Sequence, residues 1–390
     1  MQGVQPPTTV YLDCHASTPC DPRVRDAMLP FFCASYANPS SAVHLAGQKA
    51  RDAVEFARAQ VASAISADHS DIVFTGSATE SNATVLMGFL PALANSSGRR
   101  TVLTTPIEHK SVLENCRALH DRCGMRVVSI PVDNEGTVQL DKLRDLISEE
   151  TLLVCVQLAN NEIGTIQPVA EAVKIAHEKG ALLLCDAAQA LGRIRISVFD
   201  MGIDFLSLSA HKAYGPKGVG ALYVRGSANQ PDLAPMYFGG GQECGIRSGT
   251  HNVPGIVGFG LAAHLANQEL EADMARITSL RDRLESELAA LVPSMKVNGR
   301  ITCRLAGNSS LTFPGVDSLA LMSNAPGLML TNGAACESGS PAPSYVLTSI
   351  GITPEDADST IRIGLGRFST SEDVSYAIEQ LHRSYDLCSK

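Results

Sequence analysis

Short apolar runs alternate with amphipathic segments between residues 70 and 225. Segments such as 110–121 and 169–179 place their apolar positions at helical spacing, whereas the runs between them are short and continuous. This order of strands and helices predicts a mostly parallel sheet covered by helices, with ligands at the carboxyl ends of its strands. The apolar runs predict strands at 72–75, 101–105, 152–158, 181–185, 204–208 and 219–224.

The pattern changes after a glycine-rich segment at 239–249. The rest of the chain resembles a smaller α+β unit, in which a segment at 331–343 is rich in Gly, Ala, Ser and Pro and predicts a mobile loop. The predicted elements here are helices at 255–267 and 272–291, strands at 309–313, near 328–330 and at 361–365, and a last helix at 371–386.

The composition is that of a globular protein. The chain has 390 residues, of which 45% are hydrophobic and 18% charged, which suits about two domains. A net charge of -9 argues against direct binding of nucleic acid. The N-terminal segment lacks the basic and apolar regions of a secretory signal, and no apolar run is long enough to cross a membrane.

Eleven cysteines are scattered along the chain, without a CxxC pair and without the Cys/His spacing of a zinc site. We therefore expect no bound metal. An odd, unpatterned set of cysteines is typical of reduced thiols rather than of a disulfide framework, which predicts a cytoplasmic protein.

A lysine follows the apolar run at 204–208, within Ser209-Ala210-His211-Lys212, and a tight turn comes next. A lysine beyond a strand is usually a solvated surface residue, so Lys212 alone indicates little. A lysine that bonds to a carbonyl carbon needs a sheltered position that lowers its pKa. The apolar run and the turn on either side of Lys212 predict such a position.

Asp186 ends the apolar run at 181–185. Its carboxylate could cap the element that follows, or it could keep a pyridinium nitrogen protonated, as pyridoxal phosphate (PLP) requires of its protein. The turn at 75–79 consists of Gly, Ser, Thr and Ala and leads from a predicted strand into a helix. Its N–H groups suit an anion, although an ordinary capped helix has the same composition.

Two further polar groups follow predicted strands. His109 comes shortly after the strand at 101–105, where an imidazole could be structural or could stack on a cofactor and move protons. Asn160 and Asn161 follow the strand at 152–158, where adjacent amides suit a ligand oxygen or a turn. Each signal is weak alone, but five polar clusters at five strand ends are far more specific.

Together these clusters resemble fold-type I PLP-dependent transferases, specifically the NifS/IscS-like cysteine desulfurases of the class V aminotransferase superfamily. The resemblance extends from 11 to 368 and rests on the segments GSATESN, EHKSV, NNEIG, CDAAQALG, SAHKAYGPKG and GGGQECGIRSGT. It implies a large PLP-binding domain at 16–262 with a mostly parallel, seven-stranded type of sheet. A smaller α+β domain would comprise 1–15 and 263–390 and carry the catalytic cysteine.

The resemblance also implies roles around the cofactor ring. Lys212 would bond the cofactor covalently, Asp186 would pair with the pyridine nitrogen, and His109 would stack on the ring. Asn161 and Gln189 would contact the side of the ring that carries the phenolic oxygen.

The remaining implied roles concern the phosphate and the substrate. Arg362 would clamp the carboxylate of L-cysteine, a bidentate task suited to guanidinium, and Asn38 would assist it. Thr250 would reach the phosphate of the partner subunit, which implies a homodimer. Within one subunit, the phosphate would be held by Ala78, Thr79, Ser209 and His211.

The residue that distinguishes a desulfurase is a cysteine on a loop. Cys336 lies in the polar segment at 331–343, at the position of the family's catalytic cysteine. A loop suits a thiolate that takes sulfur at the cofactor and then carries a persulfide to an acceptor protein. The segment therefore predicts the catalytic nucleophile.

Some positions depart from the family pattern. Cys14 and His15 stand near the expected entrance of the site, where an aromatic, Asn or small residue is usual. Cys244 replaces a residue that is often basic, and Gly364 replaces a frequent serine. Glu337 is next to Cys336, and its charge would raise the thiol pKa.

Other functions remain open from the sequence. One is another class V aminotransferase, a β-lyase or a cysteine/selenocysteine lyase, in which Cys336 is incidental. An aminotransferase would need a keto-acid co-substrate, whereas a desulfurase releases alanine and keeps a persulfide. A non-catalytic sulfur-relay or scaffold subunit is disfavoured by the retained Lys212, Asp186, His109 and Arg362. The sulfur could serve iron–sulfur clusters, tRNA thiolation or DNA phosphorothioation.

Overall fold

The computed structural model describes residues 9–226, 234–332 and 343–389. Within these ranges the strands are β1 (Val10–Tyr11), β2 (Ile72–Thr75), β3 (Thr101–Thr104), β4 (Arg126–Ser129), β5 (Thr151–Cys155), β6 (Leu182–Asp186), β7 (Phe205–Ser209), β8 (Gly220–Val224), β9 (Lys296–Val297), β10 (Asn308–Thr312), β11 (Leu328–Met329) and β12 (Thr360–Gly364).

The helices of the same ranges are α1 (Pro22–Met28), α2 (Pro30–Cys33), α3 (Leu45–Ala64), α4 (Ala78–Ala83), α5 (Leu90–Ser97), α6 (Lys110–Cys123), α7 (Leu140–Leu146), α8 (Val169–Glu178), α9 (Val198–Met201), α10 (Val253–Gln268), α11 (Leu270–Leu291), α12 (Ser318–Ser323), α13 (Tyr345–Ser349), α14 (Pro354–Asp358) and α15 (Ser371–Cys388). A π-helical segment, Thr84–Phe89, joins α4 to α5.

The large sheet of the described chain has the order β2-β8-β7-β6-β5-β3-β4. Only β8 runs against its neighbours, and the other pairs are parallel. Helices cover both faces, and the strands β2, β3, β5, β7 and β8 are buried along their whole length. The α/β class with a mostly parallel sheet is therefore confirmed. Because β2, β3, β5, β6 and β7 point the same way, their carboxyl ends meet at one edge.

The strand β4 was not predicted from the sequence. It lies at the edge of the sheet, and its Arg126 and Ser129 are exposed while the two valines between them are half-buried. Such a strand has no continuous apolar run, so the pattern that identifies buried strands misses it. The two-residue strands β1 and β9 are too short to leave a pattern.

The helix ends follow local chemistry. The side chain of Asn252 caps α10 by accepting from the N–H of Gly255, with Pro254 in the first turn. Thr370 and Asp373 form a reciprocal capping box at the start of α15. Predicted and observed bounds of the long helices α6, α8, α10, α11 and α15 differ by no more than two residues at either end.

A second packed unit follows α10. The antiparallel sheet β12-β10-β9 and the parallel pair β1-β11 share one hydrophobic core with α11 and α15. Val10 and Leu12, from the beginning of the described chain, are buried in that core. Residue 262, the predicted end of the large domain, lies inside the continuous helix α10, and the domain boundaries stay a prediction.

The cysteines in the described ranges are all free thiols. No helix within those ranges is long and apolar enough to cross a membrane.

Candidate active site

A cavity of about 330 Å³ opens where the carboxyl ends of the parallel strands meet. Its wall brings together side chains that are far apart in the sequence, from His15 near the N-terminus to Arg362 on β12. The predicted residues that line it are Ala78, Thr79, His109, Asn161, Asp186, Gln189, Ser209, His211, Lys212 and Arg362. The sheet therefore gathers the polar clusters that the sequence places after separate strands.

Asp186 is the last residue of β6 and is 7% exposed. Its Oδ1 accepts a hydrogen bond of 2.9 Å from the N–H of Ala188, so part of the carboxylate stabilises the local turn. Its Oδ2 accepts a bond of 2.8 Å from Nδ2 of Asn82 on α4. The carboxylate is thus held in one orientation on the cavity wall by a turn on one side and a helix on the other.

A chain of hydrogen bonds runs from Asp186 to His109. Nδ2 of Asn82 also donates to Oγ of Ser111 at 2.9 Å, and that oxygen lies 2.8 Å from Nδ1 of His109. The backbone N–H of Ser111 donates to the same Nδ1 at 3.1 Å, so Nδ1 is an acceptor. The proton of the neutral ring therefore lies on Nε2. Burial lowers the pKa of His109, which keeps the ring neutral.

The N-terminus of α4 borders the cavity and presents Ala78 and Thr79. Ser77 caps this helix by accepting from the N–H of Glu80. Gly220 on β8 allows the close approach, because a Cβ there would lie 2.9 Å from Cα of Ser77 and 2.6 Å from the carbonyl oxygen of Leu208. Backbone N–H groups at the start of a helix suit an anionic group such as a phosphate.

Ser209 and His211 complete this side of the cavity. Oγ of Ser209 is buried and has no hydrogen-bond partner among the described residues, so it can donate to a bound anion. Nδ1 of His211 lies 3.2 Å from Oγ of Ser17. Burial lowers the pKa of His211 to about 4, so the ring is neutral at pH 7.

Lys212 ends a 3₁₀ turn, Ala210–Lys212, directly after β7. The hydroxyl of Thr18 braces this turn by donating to the carbonyl of His211 at 2.9 Å and accepting from the N–H of Tyr214 at 2.8 Å. Tyr214 adopts a positive φ of 62°, which reverses the chain tightly. The turn places the lysine in the cavity wall.

Arg362 enters the cavity from β12, and its side chain is 3% exposed. Its Nη2 donates to Oδ1 of Asp13 at 2.7 Å, and its Nη1 donates to the carbonyl of Asn161 at 2.8 Å. The guanidinium therefore connects the smaller unit to a strand end of the large sheet. Asp13 was not identified as a site residue from the sequence, because its partner is 349 positions away.

Gln189 is oriented by two neighbours. Its Nε2 donates to the carbonyl of His15 at 2.8 Å, and its Oε1 accepts from Nη1 of Arg193 at 2.7 Å. Arg193 also donates to the carbonyl of Cys14 at 2.6 Å. Sequence analysis missed Arg193, whose only signal was its position four residues after Gln189.

Two predicted site residues that the structure describes, Asn38 and Thr250, do not line this cavity, and a third, Cys336, lies outside the described residues. Asn38 is exposed and borders a different cavity, where its Oδ1 accepts from the N–H of Ser40 at 2.9 Å. Thr250 is exposed at the end of the glycine-rich segment. The roles of all three stay predictions.

Cys14 and Cys244, the two cysteines that depart from the family pattern, lie in different surroundings. Cys14 is buried, and burial raises the pKa of its thiol to about 11, which disfavours the thiolate. Cys244 is exposed and borders a second cavity rather than the one that holds Lys212. No cluster of three or more His, Cys, Asp or Glu side chains that could hold a metal occurs among the described residues.

Glu243 anchors the glycine-rich segment to the large sheet. Its carboxylate accepts two hydrogen bonds from Arg58, at 2.7 and 2.8 Å, and one from the N–H of Phe74 at 2.7 Å. His251 adds a contact of 2.6 Å. Burial opposes ionisation of Glu243, but these bonds, above all those from Arg58, lower its pKa to about 2. The segment that leads to Thr250 is therefore held in place by a buried ion pair.

Comparison with known proteins agrees with this geometry. The sequence profile described as aminotransferase class-V matches residues 10–376. A cysteine desulfurase IscS of Anaeromyxobacter dehalogenans is 45% identical over 369 residues, which cover 95% of this chain and 90% of that protein.

Two solved structures are similar along nearly the whole chain. A NifS-like protein superposes with a TM-score of 0.89 at 36% identity, covering 97% of this chain and all of that one. SspA, solved in complex with cysteine, superposes with a TM-score of 0.81 at 35% identity, covering 93% of this chain and all of that one.

Proposed function

Because the chain belongs to the cysteine desulfurases of the aminotransferase class-V family, we propose that it uses PLP to transfer sulfur from L-cysteine to its own Cys336. The products are L-alanine and a persulfide on Cys336. The substrate sulfur joins the cysteine of the enzyme, and a hydrogen takes its place on the carbon skeleton of the substrate. The observation that carries the proposal is the single cavity that gathers Lys212, Asp186, His109 and Arg362.

The cavity fits PLP in both charge and hydrogen-bonding capacity. Asp186 offers a buried carboxylate to a protonated ring nitrogen. The start of α4 and Oγ of Ser209, which has no partner in the described part of the chain, offer donors to a phosphate. Oδ1 of Asn161 is also buried without a partner among the described residues, and it faces the same cavity. Buried polar atoms of this kind are expected to find partners in a ligand.

PLP, when bound, supplies a carbonyl carbon for amino groups and a ring that withdraws electrons from the substrate. Asp186, oriented by Asn82, holds the proton of the ring nitrogen in place. His109 presents a neutral ring whose Nδ1 is occupied by Ser111, so only its Nε2–H is directed to other groups. Lys212 provides the amine that bonds the cofactor and then moves a proton at Nζ.

Arg362 binds the carboxylate of L-cysteine. Its bonds to Asp13 and to the carbonyl of Asn161 fix the guanidinium plane before substrate arrives, which reduces the entropy lost on binding. The thiolate of Cys336 would then form the new S–S bond with the substrate sulfur while the C–S bond of the substrate breaks. The electron pair of the broken bond stays with the substrate carbon, which takes up a proton to become the methyl group of alanine. A sulfur-acceptor protein removes the outer sulfur and regenerates the thiol.

The experiment that tests this function is direct. The purified protein with PLP is incubated with L-cysteine, alanine is quantified, and the persulfide is located by peptide mapping after labelling with radioactive sulfur. We expect stoichiometric alanine and label on Cys336. Transamination that depends on a keto acid, or label confined to Cys244, would overturn the proposal. Yellow colour that borohydride abolishes is the expected sign of a lysine-bound cofactor.

We propose in addition that the enzyme is a homodimer whose sites are completed across the interface. Supporting this, five large apolar side chains in the stretch at 29–45 are exposed, and exposed apolar side chains are buried when they form part of an interface. These side chains are Leu29, Phe32, Tyr36, Val43 and Leu45. The anchored segment that ends at Thr250 would then present its hydroxyl to the phosphate in the partner subunit.

Mixing two impaired variants tests the shared site. Lys212→Ala lacks the amine and should be inactive, and Thr250→Ala lacks the hydroxyl that we assign to the partner's phosphate and should bind PLP more weakly. A heterodimer of the two has one site with both groups intact, so at a PLP concentration that leaves Thr250→Ala largely unloaded the mixture should be more active than either variant alone. Absence of recovery after verified subunit exchange, or a fully active PLP-loaded monomer in sedimentation, would contradict the dimeric site. The cytoplasmic location expected from the cysteines stays a prediction.

A further inference from the structure

His15 is a buried imidazole on the wall of the active-site cavity. It is 1% exposed, lines the cavity together with Arg362, and follows Asp13, the ion-pair partner of that arginine, by two residues. Its Nε2 has no hydrogen-bond partner of good geometry among the described residues, although the backbone of Gly307 also approaches the ring and opposes the fall in its pKa. A buried polar atom in a ligand cavity without a protein partner indicates a contact that the ligand supplies.

The hydrogen bonds around Gln189 determine which ring nitrogen of His15 carries the proton. Nε2 of Gln189 donates to the carbonyl of His15, and Oε1 of Gln189 accepts from Arg193. The atom that faces Nδ1 of His15, at 3.3 Å, is therefore the amide oxygen, which can only accept. Nδ1 must donate, and the lone pair of the neutral ring lies on Nε2.

The ring stays neutral for a second reason. Burial, and after it the positive charges of Arg193 and Arg362, lower the pKa of His15 well below its usual value. A neutral imidazole with a lowered pKa is a weak base, and it has no positive charge with which to bind a carboxylate. Its Nε2 is suited to one task, which is to accept a hydrogen bond from a donor in the cavity.

We propose that His15 positions the thiol of L-cysteine by accepting a hydrogen bond from its S–H at Nε2. This inference rests on the proposed function, and it follows by assigning the groups of the substrate. The carboxylate has no hydrogen to donate and is assigned to Arg362, and the amino group is engaged at the cofactor. The remaining donor of L-cysteine is the thiol. Apart from the hydroxyl of Ser209, two buried acceptors on the cavity wall lack a partner among the described residues, Oδ1 of Asn161 and Nε2 of His15. Asn161 is already assigned to the cofactor ring, which leaves Nε2 of His15 for the thiol.

Gly364 makes room for this ring. A Cβ at Gly364 would lie 2.9 Å from Cδ2 of His15, and 2.9 Å from the N–H nitrogen of Cys14. Real Cβ atoms do not approach other heavy atoms that closely, so a side chain at 364 would displace the imidazole or its backbone. Because Gly364 follows Arg362 by two residues on β12, one strand presents the guanidinium and leaves the space that the imidazole fills.

Two substitutions separate the two nitrogens of His15. In His15→Asn the side-chain amide nitrogen can take the place of Nδ1 and still donate to Gln189, but nothing replaces the acceptor at Nε2. In His15→Gln the amide oxygen reaches the position of Nε2 and keeps an acceptor there. The first variant removes the proposed contact, and the second retains it.

The measurement is ligand binding to the PLP-loaded, full-length enzyme, followed by the change in cofactor absorbance within milliseconds of mixing. The probes are L-cysteine and L-alanine, which share the carboxylate and the amino group but differ in the thiol. We expect His15→Asn to weaken L-cysteine binding about threefold to tenfold, since a thiol is a weak donor, and to leave L-alanine binding unchanged. His15→Gln should recover most of the loss.

Each other result overturns the inference. Equal loss for both ligands would assign His15 to the amino group or to general structure, and equal affinity of wild type and His15→Asn for L-cysteine would remove the contact altogether. PLP content and thermal stability of both variants are measured to recognise misfolding. If His15→Asn is misfolded, the ratio of L-cysteine affinity to L-alanine affinity in His15→Gln is compared with the same ratio in the wild type. Failure of the proposed function is distinct, because it appears as a wild-type enzyme that makes no alanine from L-cysteine.

Discussion

Nδ2 of Asn82 donates a hydrogen bond of 2.8 Å to Oδ2 of Asp186. The two residues are 104 positions apart, on α4 and at the end of β6, and Asn82 is completely buried. The same amide nitrogen uses its other hydrogen for Ser111, which contacts His109. Asn82 therefore links Asp186, which we assign to the ring nitrogen of PLP, to His109, which we assign to the face of that ring.

Replacing Asn82 with alanine should weaken cofactor binding. Oδ2 of Asp186 would lose a hydrogen bond to a charged group, which is worth about 1.5–3 kcal/mol, so we expect PLP affinity to fall by about tenfold to a hundredfold. Titration of the cofactor-free protein with PLP measures the change. Ser81→Ala is the matched control, because Ser81 is equally buried on α4 but bonds to Thr75 instead. Unchanged PLP affinity in Asn82→Ala would refute the coupling.

Replacing Lys212 with alanine should abolish turnover and remove the covalent link to PLP. The turn that carries Lys212 is braced by Thr18 and the backbone, so the fold should survive the change. Borohydride treatment followed by mass spectrometry measures the link. Lys217→Ala, an exposed lysine beyond the same turn, should behave as wild type. A PLP adduct that borohydride reduces and so fixes to the protein in Lys212→Ala without substrate would show that another amine carries the cofactor.

Replacing Cys336 with serine should stop the release of alanine but preserve PLP binding and the first spectral change with L-cysteine. Serine is close in size to cysteine and lacks only the sulfur nucleophile. Cys244→Ser serves as control and should retain activity, since Cys244 is exposed but lies away from the cavity. Retained turnover in Cys336→Ser would transfer the role of nucleophile to another residue.

Stability should fall with rising pH because of Glu108. This fully buried carboxyl group accepts from the N–H of Gln157 and the hydroxyl of Thr105, yet burial raises its pKa from 4.5 to about 8. Between these values the folded protein keeps the proton and the unfolded chain releases it. Rising pH therefore favours unfolding across that window.

Glu108→Gln should flatten this part of the pH profile, since an amide does not titrate. The free energy of unfolding is measured by denaturant titration from pH 5 to pH 8. Glu114→Gln, an exposed change on α6, is the control and should keep the wild-type slope. An identical decrease with pH in Glu108→Gln would show that other groups cause it.

Much of the active site was predictable because its residues occur in short local segments. The strands β2, β5, β6 and β7 are apolar runs, and the polar group that each presents comes within a few residues of its end. In a parallel sheet those ends necessarily converge, so Lys212 and Asp186 were placed together without knowledge of the packing. The long helices were predictable for the same local reasons of spacing and capping.

The supporting residues were not predictable. Asn82, Asp13 and Arg193 act through partners that are distant in the sequence or through backbone carbonyls, and neither kind of contact leaves a local pattern. The edge strand β4 was missed because its half-exposed residues form no apolar run.

The sequence by itself determined the α/β class, the order of the strands that carry the site, and the identity of the residues at their ends. The class and the strand ends follow from propensity, periodicity and spacing, which act over a few residues, whereas the roles of the residues at those ends are implied by the resemblance to the cysteine desulfurases. Tertiary structure alone decided that Nδ1 of His109 is an acceptor, that Nε2 of His15 lacks a well-placed partner within the described chain, and that Gly364 leaves room for that ring. The protonation and orientation of a side chain depend on atoms that packing brings within about 3–4 Å of it. Those atoms often belong to residues distant in the sequence, so a local sequence pattern does not predict them.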